Sequence, residues 1–203
     1  MTQQKTDLFA LNRKDYTAWR KPRFAEVESG WYLCVEGRGG VDGREYLEGR
    51  QALARLGRAL QARAAAAGQG FKLCRRETLW HMDPGYFDIT QAPDDALNWA
   101  MCMRLPDSVG ENELEEVKAA LAAKGEVSPA LRLAVAMGME EGRCAQMLHV
   151  GPREALQDSI RALYAFIEER EAYAVGRLHE VALNDPARTA PERQRVLLRV
   201  PVM

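Results

Sequence analysis

The feature that most constrains this chain is an order of elements that runs through it twice. After Pro22, residues 24–36 (FAEVESGWYLCVE) have strand-like composition and read as one opening strand, which Gly37, Gly39, Gly40 and Gly43 punctuate. From Tyr46 to about Ala67, Leu47, Leu53, Leu56 and Leu60 fall at helical spacings among alanines and arginines, which predicts a long helix. Two apolar runs, 71–82 (FKLCRRETLWHM) and 97–105 (LNWAMCMRL), flank a loop rich in Asp, Pro and Gly and predict an antiparallel strand pair. The order then recurs. A strand-like stretch over 131–150, with a Glu-Glu-Gly turn in its middle, leads through Gly151-Pro152 into a helix from about 154 to 169. Strands at 177–183 and 195–202 follow, joined by the turn-rich NDPARTAPE.

The reading is therefore an α+β fold of duplicated strand-helix-strand-strand modules in a single domain over 1–203. The first module covers about 22–106 and the second about 131–203. A connecting helix spans about 111–124, with acids in its first turn, where they complement the helix dipole. The repeat is one of pattern and not of letters. It predicts a pseudo-twofold arrangement, as two sheets or one continuous sheet, with helices on one face and the opposite faces left to form a central groove. The first twenty residues are polar and weakly patterned.

Several classes of function are disfavoured. Net charge is −1, from 28 basic and 29 acidic residues, so no overall field attracts nucleic acid. No stretch approaches the roughly 18 apolar residues of a membrane span, and MTQQKTDLFALNRKDY lacks an apolar signal core, so the expected location is the cytoplasm. Cys34, Cys74, Cys102 and Cys144 stand singly in apolar runs and read as buried reduced thiols. His81, His149 and His179 have no metal-like spacing, and no metal or other cofactor is expected. GRGGVDG lacks the lysine and Ser/Thr of a phosphate loop, and no serine stands in a glycine-flanked elbow.

Glu180 is the first candidate for chemistry, because a lone acid within the apolar strand LHEVAL is costly to bury without a partner. It wants a ligand cation, a proton, or an arginine such as Arg177 or Arg199. Alternation puts it on the face of Leu178 and Ala182, opposite His179 and Val181. Trp80 and Trp99 are either groove wall beside that carboxylate, suited to an aromatic or cationic ligand, or core filler. Tyr46, Tyr86, Trp31 and Glu77 each flank a strand or helix start within reach of a groove. Met101, Met103 and Met147 offer an adaptable lining, or core. His149 reads as hydrogen-bonded to backbone.

EEGRCAQMLHVGP at 140–152, a helix ending in FIEER, and LHEVALNDPARTAPERQRVLLRVPV at 178–202 together resemble the GyrI-like small-molecule-binding family. Lys21-Pro22, ETLWH at 77–81 and NWAMCMRLPD at 98–107 are similar to its longer, stand-alone branch. The resemblance implies paired SHS2-type modules whose central groove binds aromatic, often cationic, compounds, with Glu180 on the floor and Trp80 and Trp99 at matching aromatic positions. It also implies an alternative: some stand-alone members are detoxifying hydrolases that open the cyclopropane of DNA-alkylating cyclopropanoids, which would make Glu180 an acid/base residue. Ala182 departs from the tyrosine common in the family. Multidrug-responsive activators of the family carry a helix-turn-helix domain that this sequence lacks. A third reading is a protein-interaction regulator of a DNA enzyme such as gyrase. The expected partner is a small molecule, without nucleic acid or membrane, and the chain is a monomer or homodimer.

Overall fold

The computed structural model describes residues 5–203. Its elements in order are β1 (Thr6–Asp7), α1 (Leu8–Leu11), β2 (Arg23–Val27), β3 (Gly30–Arg38), α2 (Arg44–Ala66), β4 (Phe71–Lys72), β5 (Arg76–Met82), β6 (Leu97–Leu105), α3 (Glu111–Ala123), α4 (Pro129–Leu133), β7 (Val135–Met139), β8 (Gly142–Val150), α5 (Leu156–Glu169), β9 (Leu178–Ala182) and β10 (Arg195–Pro201). Single 3₁₀ turns precede β6, α5 and β10.

Eight strands form one antiparallel sheet in the order β2-β8-β10-β9-β5-β6-β3-β7, while β1 and β4 pair separately. The two modules, β3-α2-β5-β6 and β8-α5-β9-β10, meet at a β5–β9 seam where Thr78 lies opposite Glu180 and Trp80 opposite Leu178. The α+β, doubled architecture is thus present as a single continuous sheet.

Two of the strand readings need correction. The stretch 24–36 is two strands, broken at Glu28-Ser29, and 131–150 is α4, β7 and β8, with the strands broken at Glu140-Glu141. Pro129 suits the first turn of α4, and the Ser128 hydroxyl accepts the Leu131 N–H, so this short segment starts as helix. The partners are exchanged: β2 precedes β3 but pairs with β8, and β7 precedes β8 but pairs with β3. With only two residues linking each pair, the two ends of the sheet must curl toward each other into a half-barrel.

Alternation then divides the sheet into two faces. One carries the apolar core. Leu53, Leu56 and Leu60 of α2 and Ile160, Leu163 and Ile167 of α5 are buried there with Leu33, Val35, Met101, Met147, Leu198 and Val200. Each such side chain contributes about 1.5–3 kcal/mol of burial free energy.

The other face is polar and also buried, because the weakly patterned N-terminal segment crosses it. Tyr16 donates to Glu77 at 2.7 Å, Arg104 to Asp15 at 2.9 Å, and Gln146 to the Thr17 carbonyl at 2.6 Å. Arg199 donates to the Asp15 carbonyl and, at 2.7 Å, to Glu141. Cys34 and Cys102, directly opposite on β3 and β6, also meet here, with their sulfurs 2.7 Å apart as free thiols. No helix among the described residues is long and apolar enough to cross a membrane.

Candidate functional site

Each helix covers its own module's outer strands, so the β5–β9 seam is left uncovered between α2 and α5. A groove of about 640 Å³ lies over it. Its position corrects the expectation drawn from the repeat: it opens on the face that carries the helices, because the opposite face is filled by residues 15–17 and their partners. Thr78 and Trp80 of β5 and Leu178, Glu180 and Ala182 of β9 make the floor. Tyr46, in the first turn of α2, and Arg153, just ahead of α5, rise as the two walls. The two strand-connecting loops of the modules close the ends, through Ile89 and Thr90 on one side and Asn184 and Pro186 on the other.

The aromatic part of the site is closely packed. Tyr46 stacks on Trp80 with centroids 5.6 Å apart and planes 7° apart, and meets the edge of Trp99 at 5.3 Å and 76°. The Tyr46 hydroxyl lies 3.4 Å from that of Thr78. Trp80 and Tyr46 are nearly buried, so a ligand would lie against the stack and not between its rings. Trp99 lies one layer deeper. A Cβ added at Gly37 or Gly49 would come within 2.3 or 2.4 Å of its ring, so these glycines make the slot it occupies.

The polar part centres on one ion pair. Glu180 is buried and accepts from Arg153 through both oxygens, Nη1 to Oε2 at 2.9 Å and Nη2 to Oε1 at 3.4 Å. Desolvation opposes the charge on Arg153, and the facing Glu180 carboxylate outweighs it, raising the guanidinium pKa. His149 lines the groove with both ring nitrogens engaged: Nε2 faces the Pro152 carbonyl at 3.2 Å and Nδ1 the Ser159 hydroxyl at 2.9 Å. A carbonyl only accepts, so Nε2 carries the proton, and in the neutral ring Nδ1 accepts from Ser159.

Of the residues singled out in the sequence, the fold brings Glu180, Trp80 and Tyr46 to the groove. Trp99 and Met101 lie buried beneath α2, and Met147 lies in the core on β8. Tyr86 is half-exposed on the loop after β5, outside the lining. Glu77 points to the opposite face, where it meets Tyr16 and His179. Arg177 faces Glu36 at 3.9 Å and Arg199 pairs with Glu141, so neither satisfies Glu180.

Arg153 was absent from the sequence candidates. Its signal was a cation at the start of a helix, where the dipole disfavours positive charge unless a partner lies elsewhere. Glu141 is likewise not among those candidates, because the Glu-Glu-Gly pattern it belongs to signals only a turn.

Residues 106–203 match the model of the GyrI-like small molecule binding domain. Among solved structures, an uncharacterized conserved protein from Listeria innocua is 29% identical, with 98% of this chain covering 100% of that one at a TM-score of 0.87. Two hydrolase structures from Listeria innocua are 28% and 29% identical over the same shares, with TM-scores of 0.82 and 0.83. The EcmrR C-terminal domain, at 12% identity and a TM-score of 0.60 over 90% of this chain and 97% of its own, shares the fold alone. No curated protein matches the chain.

Proposed function

We propose that this chain, which carries a GyrI-like small molecule binding domain over residues 106–203, binds flat aromatic small molecules in the groove over the β5–β9 seam. The observation that carries the reading is the Tyr46–Trp80 stack standing beside a buried carboxylate–guanidinium pair in a groove of about 640 Å³. That volume lies in the range of drug-sized sites, where apolar walls supply affinity and a few polar groups fix orientation. An aromatic ligand against the stack adds about 0.5–1.5 kcal/mol beyond its area burial.

A second reading, hydrolysis, draws support from the two Listeria hydrolases that match this chain over 98% of its length. In it, the substrate is an electrophilic cyclopropanoid, a cyclopropane fused to a conjugated dienone. Glu180 accepts a proton from water as the water oxygen bonds to a cyclopropane carbon. The strained C–C bond breaks and its electron pair runs into the ring to leave a phenolate oxygen, which Arg153 stabilises until the proton from Glu180 reaches it. With Ala182 in place of the tyrosine common in the family, Arg153, already hydrogen-bonded to Glu180, takes that role.

One experiment addresses both readings: a cyclopropanoid is followed by chromatography with wild type and Glu180→Gln, and its ring-opened product is titrated by tryptophan fluorescence. Binding of the product without turnover leaves a binding protein. Turnover by wild type that falls about 10²-fold or more in Glu180→Gln, with product affinity held within a few-fold, establishes the hydrolase. Failure of the product to bind would overturn the groove reading.

A further inference from the structure

We infer that Arg153 makes this groove select neutral flat aromatics bearing a hydrogen-bond acceptor, such as a ring carbonyl, over permanent aromatic cations. The inference rests on the groove-binding reading above and narrows its ligand class.

Glu180 is the buried carboxylate of the groove; the other three that line it, Asp42, Asp94 and Glu154, are exposed. A buried anion beside aromatic rings is the usual recognition element for an organic cation. Here that anion is already matched by a forked guanidinium on both of its oxygens. The planar fork is pre-organised for a carboxylate, so a ligand cation has either to split the pair or to sit beside Arg153 with one carboxylate between two positive charges. The remaining charges do not favour a cation either, since three further arginines, Arg50, Arg76 and Arg195, balance the three exposed carboxylates along the lining.

What the pair does offer is donors. A guanidinium has five N–H groups, and Glu180 engages one on each terminal nitrogen of Arg153. The Arg153 side chain is 43% exposed at the groove wall, so its other donors are accessible from the groove. A carbonyl oxygen on a ring lying against the Tyr46–Trp80 wall would complete the set without displacing Glu180.

The test uses one ring system in two charge states. Acridone, neutral with a ring carbonyl, and N-methylacridinium, a permanent cation of the same tricycle, are titrated into wild type, Arg153→Gln and Arg153→Lys at fixed ionic strength. Wild type is expected to bind acridone about tenfold tighter than N-methylacridinium. Arg153→Gln is expected to reverse that order by freeing Glu180, while Arg153→Lys keeps it. Tighter binding of the cation by wild type, or an unchanged preference in Arg153→Gln, overturns the selectivity and leaves groove binding standing. Binding of neither compound to wild type overturns both.

Discussion

His179 and Glu180 are neighbours in sequence, yet the strand pleat sends them to opposite faces of the sheet, one to a sealed network and the other to the groove. On the sealed side, His179 Nδ1 lies 2.9 Å from Glu141, and Nε2 lies 3.0 Å from Glu77 as an ion pair outside hydrogen-bond alignment. Burial alone would lower the His179 pKa, but the two carboxylates raise it to about 9. Burial likewise would raise that of Glu141, and His179 with Arg199 hold it down at about 2. The ordinary values are 6.5 and 4.5. The His179 contribution to stability is therefore complete below about pH 6.5 and lost as pH climbs to about 9. The Glu141 contribution is complete above about pH 4.5 and lost as pH falls to about 2. The combined contribution of these two groups is therefore greatest between about pH 4.5 and 6.5, with an alkaline loss on the order of 3 kcal/mol. Urea unfolding at pH 6 and pH 9.5 checks this: wild type loses stability at the higher pH, and His179→Gln, less stable overall, loses much less. A wild type equally stable at both pH values would sink the assignment. At this scale the sequence was legible as to need but not as to partner. A lone Glu180 in LHEVAL plainly required a counter-group. That Arg199 is excluded follows only from the register Arg199↔His179, which puts both on the face away from Glu180. That Arg153 supplies it depends on how α5 docks.

The long helix α2 shows what periodicity conveys and what it omits. Its leucines at 53, 56 and 60 were readable as one buried stripe, and they are buried as one. The closeness of approach was not readable, because it lies in the glycines. Gly49, inside the helix, would ordinarily be improved by alanine, by about 0.5–1 kcal/mol. Here an added Cβ meets the Trp99 ring at 2.4 Å. The ring has little room to retreat, since Trp99 is fully buried and already lies so close over Gly37 that a Cβ there would come within 2.3 Å of it. Gly49→Ala is therefore expected to destabilise the fold by about 1–3 kcal/mol, the cost of overpacking. Denaturant midpoints of the variant and wild type measure it. A gain in stability would mean that Trp99 has room to move and that the slot is not tight. The broken strands carry the same lesson. The Glu-Glu-Gly turn was visible inside 131–150, but nothing local to it tells β7 to pair with β3 instead of folding back on β8.

At the scale of the molecule, that exchange of partners ties the two modules together more tightly than a tandem repeat requires. The segment from Thr17 to Val27 serves the second module: β2 pairs with β8, the Thr17 carbonyl accepts from Gln146 and the Trp19 carbonyl from the Leu148 N–H. The segment from Glu111 to Met139 serves the first, with α3 against α2 and β7 on β3. The order of elements in the two halves was legible from the sequence, whereas this interdependence was not, because it resides in strand pairings between residues more than a hundred positions apart. A cut at the exposed Asp107-Ser108 link would leave each piece without a strand of its own sheet. The second piece would also lack the segment over Arg199 and Gln146, whose burial without partners costs several kcal/mol. Fragments 1–107 and 108–203 are each expected to show no cooperative unfolding alone. Co-expressed, they are expected to associate one to one and restore both a cooperative transition and the native tryptophan emission of the stacked Trp80. If 108–203, which contains nearly all of the matched family region, unfolds cooperatively by itself, the exchanged strands are ornaments on a self-sufficient module. If only the mixture folds, the groove exists solely as a product of both halves, and any ligand that binds it must stabilise the assembled pair over its parts, by about 2.7 kcal/mol at a hundredfold excess over Kd.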